Sequence, residues 1–198
     1  KNSSQSITID LTGSVTSAPI QVKLYVNVQS ANAQPVQKVL REDRYVIINT
    51  NTHPSTSGGT YSLGLSDVYQ IKNIFIGAHT DTDSAVVAAG VDVASSFTLD
   101  NGQRDNEYRN AKIIKKSGGP SLTDKKLVIK LDYFTHDGAS ADGNFFVVDS
   151  YPIDDTGATA GTIKTQNIPV YVSPTSGESF DLRDTLDFRA RFSDSAAN

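Results

Sequence analysis

The sequence contains no cysteine, no methionine and no tryptophan among its 198 residues. The lack of cysteine excludes disulfide bonds, thiolate metal ligands and thiol nucleophiles. It gives no information about the redox compartment, because a protein assembled in a reducing cytoplasm has the same composition. Since methionine is missing even at position 1, we expect a fragment or a processed product of a larger protein.

A strong charge of one sign and a long apolar run are also missing. The formal net charge is -4, with acidic and basic residues mixed along the chain. No face of the chain is basic enough to follow a phosphate backbone, which argues against a nucleic-acid partner. The longest apolar-leaning run, residues 84–94, is interrupted by Gly90 and Asp92 and is far too short to span a bilayer. We therefore expect no membrane insertion.

Period-two alternation of apolar and polar residues is the dominant pattern. In residues 21–28, Val22, Leu24, Val26 and Val28 fall on one face of an extended chain. Further strands are predicted at residues 7–11, 45–49, 68–76, 111–115, 127–134 and 145–151. The pattern predicts an all-β fold, an antiparallel β-sandwich-like module with long loops and an extended C-terminal arm.

The whole chain, residues 1–198, is predicted to be one β-rich module of a larger protein. A sub-boundary is possible near residues 55–62, and residues 173–198 are predicted to be a linking arm. Two long-looped hairpins are expected, one joining 45–49 to 60–63 and one joining 127–134 to 145–151.

Three smaller expectations concern individual segments of the chain. Asn101-Gly102 is a strong turn signal, because both residues tolerate positive φ. Residues 85–94 fit a short helix or a strand equally well. Lys126 and Lys130 are expected to protect an exposed strand edge by their charge.

Metal sites find little support in the sequence. His53, His79 and His136 are far apart and lie in polar contexts, so they are predicted to be solvated loop residues. Residues 81–83 and 100–102 resemble pieces of calcium loops, but neither completes the ligand pattern. Asp and Asn are also favoured in turns, and no metal ligand is assigned.

The sequence gives equally little evidence for a catalytic motif. No Gly-x-Ser-x-Gly nucleophile motif is present, and Asp154 and Asp155 are predicted to be turn residues and not a glycosidase pair. The glycine-rich residues 117–120 lack a phosphate-binding pattern. We assign no catalytic residue and no cofactor, and we predict that the chain is not an enzyme.

The densest cluster of charge lies near the C-terminal end, interleaved with Leu and Phe. Its charged members can form several bidentate pairs: Arg183, Asp184, Asp187, Arg189 and Arg191, with Arg104 and Asp105 as possible additions. One interpretation is a docking element that binds a neighbouring module. The other is a salt-bridge cluster that clamps the chain's own end. Separately, Tyr108, Tyr133 and Phe134 are predicted to pack in the interior.

Four sequence blocks carry a resemblance to a known class of protein. They are FTLDNGQRDNEY at 97–108, LVIKLDYFTH at 127–136, FFVVDSY at 145–151 and LRDTLDFR at 182–189. Together they resemble a β-rich module of large virion structural proteins of contractile-tailed bacteriophages, notably cyanophages. The resemblance covers residues 63–192. The family's last block often continues into proline, whereas Ala190 follows Arg189 here.

The resemblance implies a tail, baseplate or fibre-associated protein that positions neighbouring modules or subunits in the virion. Other tail subunits would be its partners, including further copies of the chain in a homo-oligomer. A receptor-binding module that recognises host surface glycan through loops 51–59 and 135–143 is the main alternative. A depolymerase and a bacterial surface or fimbrial module are further alternatives.

Overall fold

The computed structural model describes residues 35–53, 59–137 and 145–191, all of which lie in the compact unit Ala31–Asn198. Within these ranges the chain forms ten strands and one α-helix. In chain order they are β1 (Gln37–Asn49), β2 (Thr60–Ser66), β3 (Val68–Ala78), α1 (Asp83–Ala89), β4 (Phe97–Asp100), β5 (Glu107–Tyr108), β6 (Asn110–Lys115), β7 (Lys125–Asp137), β8 (Val170–Val172), β9 (Ser179–Asp181) and β10 (Ala190–Arg191). The strands predicted at 7–11 and 21–28, and most of loops 51–59 and 135–143, lie outside the described residues.

β7 is the central strand of a three-stranded antiparallel sheet and lies between β1 and β3. Because side chains alternate along a strand, Leu127, Ile129 and Leu131 share one face, and all three are fully buried. Since β7 is central, the prediction that Lys126 and Lys130 protect an edge is wrong. Their ammonium groups instead lie 3.0 Å from Asp83 and 3.2 Å from Asp43.

The second antiparallel sheet has the strand order β2-β6-β4. Side chains of both sheets meet in one core, including Tyr61 and Leu63 from β2, Ile113 from β6 and Ile74 from β3. Close packing between two antiparallel sheets is the defining feature of a sandwich. The prediction of an all-β, antiparallel sandwich-like fold is therefore confirmed.

A bulge in β1 directs its first half to a different core. Arg41 pairs with Tyr133 and Arg44 with Leu131, so β1 contains one extra residue at this point. Asp43, in the bulge, has a φ of 54°, and its N–H donates to Asp132 at 2.8 Å. The extra residue reverses the alternation, so that even-numbered positions face the sandwich core after the bulge, at Val46 and Ile48, but face the other side before it, at Lys38 and Leu40.

A second core lies on that other face. Leu40 pairs in register with Phe134, and both side chains are buried. They pack with buried residues from the C-terminal third of the described chain, namely Tyr151, Ile163, Ile168, Tyr171 and Leu182. Residues 173–191, predicted to lie in a linking arm, contribute Leu182 to this core, and β10 pairs in parallel with β5.

α1 covers the first half of residues 85–94, whereas residues 91–93 are extended and pair with β3 through an isolated bridge between Asp92 and Phe75. The Thr82 hydroxyl accepts a hydrogen bond from Ala85 N at 3.3 Å and caps the helix, which ends at Gly90 in the left-handed conformation. Val86 is fully buried and packs against Gly77. No side chain fits at Gly77, because a Cβ there would lie 2.6 Å from a methyl carbon of Val86.

Both predicted hairpins are wrong. β1 pairs with β7 and β2 pairs with β6, so 45–49 and 60–63 belong to different sheets. Residues 145–151 do not form a strand. Phe145 and Phe146 make isolated bridges, and Val148–Ser150 is a 3-10 helix in which the Ser150 hydroxyl accepts from Val147 N at 3.0 Å.

Two local predictions are correct. Gly102 has a φ of 83°, as a turn at Asn101-Gly102 requires. Tyr108 and Phe134 are fully buried, and Tyr133 packs against the sandwich core.

Candidate functional site

A network of polar side chains lies in the interior between β1, β7 and the C-terminal segment. We call it the buried polar cluster, and its members are Lys38, Asp67, Gln103, Tyr108, His136, Asp187 and Arg189. Charged side chains are seldom buried unless they are paired, so each needs an account of its partners.

Strand geometry directs Lys38 inward. It shares a face of β1 with Leu40 and lies opposite His136 on β7. The Lys38 side chain is 0% exposed, and its Nζ lies 2.7 Å from Oδ2 of Asp67. Nζ also lies 3.3 Å from the Tyr108 hydroxyl.

Asp67 occupies the corner between β2 and β3. It has a φ of 57°, and its carbonyl oxygen accepts from Phe134 N at 3.0 Å, which anchors the corner to β7. Its carboxylate has three partners among the residues that the structure describes. Besides Lys38, Nε2 of His136 lies 2.7 Å from Oδ2, and Nε2 of Gln103 donates to Oδ1 at 3.3 Å.

Aromatic rings enclose the Lys38 ammonium. Nζ lies 4.5 Å from the ring centre of Tyr108, 4.7 Å from Tyr151, 4.9 Å from Phe146 and 5.5 Å from Phe134. Such rings attract a cation and leave little room for water.

The second ion pair joins Asp187 and Arg189. Nε of Arg189 donates to Oδ1 of Asp187 at 2.9 Å, and a second guanidinium nitrogen donates to Oδ2 at 2.9 Å, which makes the pair bidentate. The Tyr108 hydroxyl donates to Asp187 and accepts from Arg189 at 3.0 Å, so Tyr108 links the two ion pairs. The guanidinium also lies 4.3 Å from the ring centre of Tyr171.

Burial and pairing shift the pKa values of the cluster. Burial lowers the pKa of Lys38, and Asp67 offsets this only in part. Burial alone would raise the pKa of Asp67, but Lys38 and His136 outweigh it and hold that pKa well below its ordinary value. The pKa of Asp187 is also lowered, because hydrogen bonds from Arg189 and Tyr108 outweigh its burial. Burial raises the pKa of Tyr108 far above its ordinary value.

The cluster therefore fixes the positions of several elements relative to one another. It joins β1, the β2–β3 corner, β7 and the segment before β10 through contacts distant in sequence. Buried charged pairs of this kind fix geometry more reliably than they add stability.

An apolar groove lies beside the cluster, on the surface. It encloses about 580 Å³, and we call it the C-terminal groove; its principal lining residues are Asp105, Asn106, Tyr171, Phe180, Leu186 and Phe188. Phe188 is 67% exposed and Leu186 is 53% exposed. They alternate with Asp187 and Arg189, which point inward.

The structure separates the residues predicted for docking. Asp187 and Arg189 are buried and pair with each other. Arg183 is exposed and pairs with Asp181, and Asp184 is exposed. Arg191 lies in β10, where its backbone pairs with Tyr108.

The two additional docking residues have separate roles. Arg104 forms a bidentate pair with Asp100, with distances of 2.7 and 2.9 Å. Asp105 lies in the C-terminal groove and accepts a hydrogen bond from the Tyr171 hydroxyl at 2.5 Å. Burial, together with that bond, raises the pKa of Tyr171 to about 12.

The calcium-like segments act as structural turns. Asp81 accepts from Ala78 N at 2.8 Å, and Asp100 accepts from Gly102 N at 3.0 Å. Asp154 and Asp155 likewise accept hydrogen bonds from Thr156 and Thr165 near them. Among the described residues, no group of three or more His, Cys, Asp or Glu could hold a metal ion.

Of the three histidines, His136 departs from the prediction. It lies in β7 with a side chain 6% exposed, so its prediction as a solvated loop residue is wrong. Sequence reasoning also missed Lys38 and Asp67. A usable signal was present, since Lys38 lies between Val36 and Leu40 on one face of an alternating segment.

Comparisons of the chain with protein-family models, with curated proteins and with solved structures find no match. In the part of the chain that the structure describes, no helix has the length and apolar character needed to cross a membrane.

Proposed function

We propose that this chain is a structural component of a bacteriophage tail, baseplate or fibre, and that it docks a neighbouring subunit through the C-terminal groove. The observation that carries the proposal is the pairing of exposed Leu186 and Phe188 with buried Asp187 and Arg189 on one short segment. Apolar side chains held outward by a rigid internal anchor are suited to permanent packing against another protein.

The anchor limits how far the segment can move. Asp187 exchanges two backbone hydrogen bonds with Phe146, at 2.7 and 2.9 Å, besides its pair with Arg189. A rigid docking surface loses little conformational entropy on binding, which favours affinity. The resemblance of the four sequence blocks to virion structural proteins supports a phage tail as the assembly in which the partner is found.

The partner we expect is a neighbouring tail subunit with an apolar surface that covers Leu186 and Phe188. The decisive experiment labels intact phage particles with an antibody raised against the folded chain and locates the label by electron microscopy. Label at the baseplate or along the tail, without loss of host adsorption, supports the proposal. Label at fibre tips with blocked adsorption instead favours the glycan-binding alternative.

Two groove variants test the docking surface directly. Leu186→Asp and Phe188→Asp place a charge at positions that are already exposed, so the fold should tolerate both. We expect particles assembled with either variant to retain far less of this protein after gradient purification. Val91→Asp, at an equally exposed apolar position outside the groove, serves as the matched control. Full retention of all three variants would contradict the proposal.

A further inference from the structure

We propose that Lys38 and Asp67 join in an intramolecular amide bond, formed by the folded chain itself. The inference rests on the geometry of the buried polar cluster and is independent of the proposed function. A lysine amine and an aspartate carboxyl are the two reactants of an amide, and here they are held 2.7 Å apart in the interior.

Contact between the reactants is the first requirement. Folding brings Lys38 of β1 against Asp67 across 29 residues of chain, with both side chains almost completely buried. Holding reactants in contact replaces a bimolecular encounter with a step inside one molecule, which greatly raises its rate.

A dry environment is the second requirement. The rings of Tyr108, Phe134, Phe146 and Tyr151 surround Nζ and exclude the water that would hydrolyse the product. Burial also lowers the pKa of the Lys38 amine, which favours its neutral, nucleophilic form.

The chemical step balances without any other reactant. A proton passes from the Lys38 ammonium to Oδ2 of Asp67 across the ion pair, which leaves a neutral amine and a neutral carboxylic acid. This neutral pair is the minor state, because the pKa of Asp67 lies below its ordinary value, and the attack of Nζ draws it from the ion pair. Nζ then attacks Cγ, and the N–C bond forms. As the tetrahedral adduct collapses, the bond from Cγ to Oδ2 breaks, and a second proton from nitrogen goes to that oxygen. One water molecule leaves.

Neighbouring side chains match the needs of each atom. Nε2 of His136 lies 2.7 Å from Oδ2, the leaving oxygen, and can donate to it as the bond breaks. Nε2 of Gln103 lies 3.3 Å from Oδ1, where charge develops before the amide carbonyl is restored. The Tyr108 hydroxyl, 3.3 Å from Nζ, can accept from the N–H of the finished amide.

The product also relieves an electrostatic cost. Two buried charges become one neutral amide, so the desolvation of the ion pair no longer opposes folding. The bond would tie β1 to the β2–β3 corner, a covalent restraint in a chain that contains no cysteine.

Intact-mass spectrometry of the purified, folded full chain tests the proposal. We expect a mass lower than that of the sequence by one water molecule. Lys38→Met, which keeps much of the side-chain volume and lacks the amine, should have its full sequence mass. A wild-type protein that is folded and has the full sequence mass would overturn the proposal, and this result does not depend on whether any variant folds.

Peptide mapping locates the bond. Trypsin cannot cleave after an acylated Lys38, so peptide 24–41 should appear linked to peptide 45–72. A water loss that maps to any other residue, such as an Asp-Gly succinimide, would also overturn the proposal.

The rate of water loss, followed by intact-mass spectrometry at intervals after translation in vitro, tests the role of His136. His136→Asn should slow the loss of water by at least ten-fold, whereas Arg183→Gln, an exposed control, should leave the rate unchanged. An unchanged rate in a folded His136→Asn protein would overturn the role given to the hydrogen bond from His136 to the leaving oxygen.

Discussion

The Arg189 side chain has three roles. It neutralises Asp187, makes a cation–π contact with the ring of Tyr171 and donates a hydrogen bond to the Tyr108 hydroxyl. Removal of one partner from a buried ion pair leaves the other charge without compensation, which costs about 3–5 kcal/mol. We therefore expect Arg189→Met to lower the free energy of unfolding by about that amount. Urea denaturation followed by circular dichroism provides the measurement.

Arg183→Met is the matched control for Arg189→Met. Arg183 also pairs with an aspartate two residues before it, Asp181, but Arg183 is exposed and Asp181 is only half-buried. Solvent and salt screen such pairs, so we expect little change in stability. If both variants lost the same free energy of unfolding, burial of the pair between Asp187 and Arg189 would contribute nothing to the cost of breaking it.

Single elements show which parts of the fold can be predicted from sequence. The alternation that predicted 127–134 as a strand identifies β7 because it reflects burial of one face, and burial leaves a local pattern. Strand partners leave no such pattern. The extra residue between Arg41 and Arg44 turns Lys38 and Leu40 to the opposite face, and nothing local in the sequence marks it.

The candidate site was predictable only in part for the same reason. Asp187 and Arg189 were recognised because they are close in sequence and can pair locally. Lys38, Asp67 and His136 are separated by 29 and 69 residues, so only the folded chain brings them together.

The turn between β4 and β5 depends on one glycine. Gly102 has a φ of 83°, and a Cβ there would lie 1.9 Å from the carbonyl oxygen of Arg109. Gly102→Ala should therefore destabilise the protein by about 3 kcal/mol or more, since a strained backbone alone costs 1–3 kcal/mol. Gly90→Ala separates the cost of the positive φ from the cost of the steric clash, because Gly90 also has a positive φ but has open space around it. We expect it to cost only about 1–2 kcal/mol, measured by thermal unfolding.

For the molecule as a whole, carboxylates that are paired in the folded state determine how stability responds to acid. The pKa values of Asp67, Asp100 and Asp187 all lie below the ordinary value of 3.8 in the folded protein. The unfolded chain therefore takes up protons first, so their contribution is fully present above that pH and is lost as the pH falls through the folded pKa values. We expect urea-derived stability to stay level from pH 7 down to about 5 and to decrease below about 4.

Asp187→Asn tests the source of this acid sensitivity. The variant lacks one titrating group, so it should be less stable than the wild type at neutral pH but lose less on further acidification. An amide between Lys38 and Asp67 would remove a second group in the same way, because an amide takes up no proton in this range. The acid sensitivity of the mature protein would then come from Asp187 together with other paired carboxylates such as Asp100, so Asp187→Asn should make the loss of stability below pH 4 shallower. An equally steep decrease in Asp187→Asn would show that exposed carboxylates, and not the buried polar cluster, determine acid unfolding.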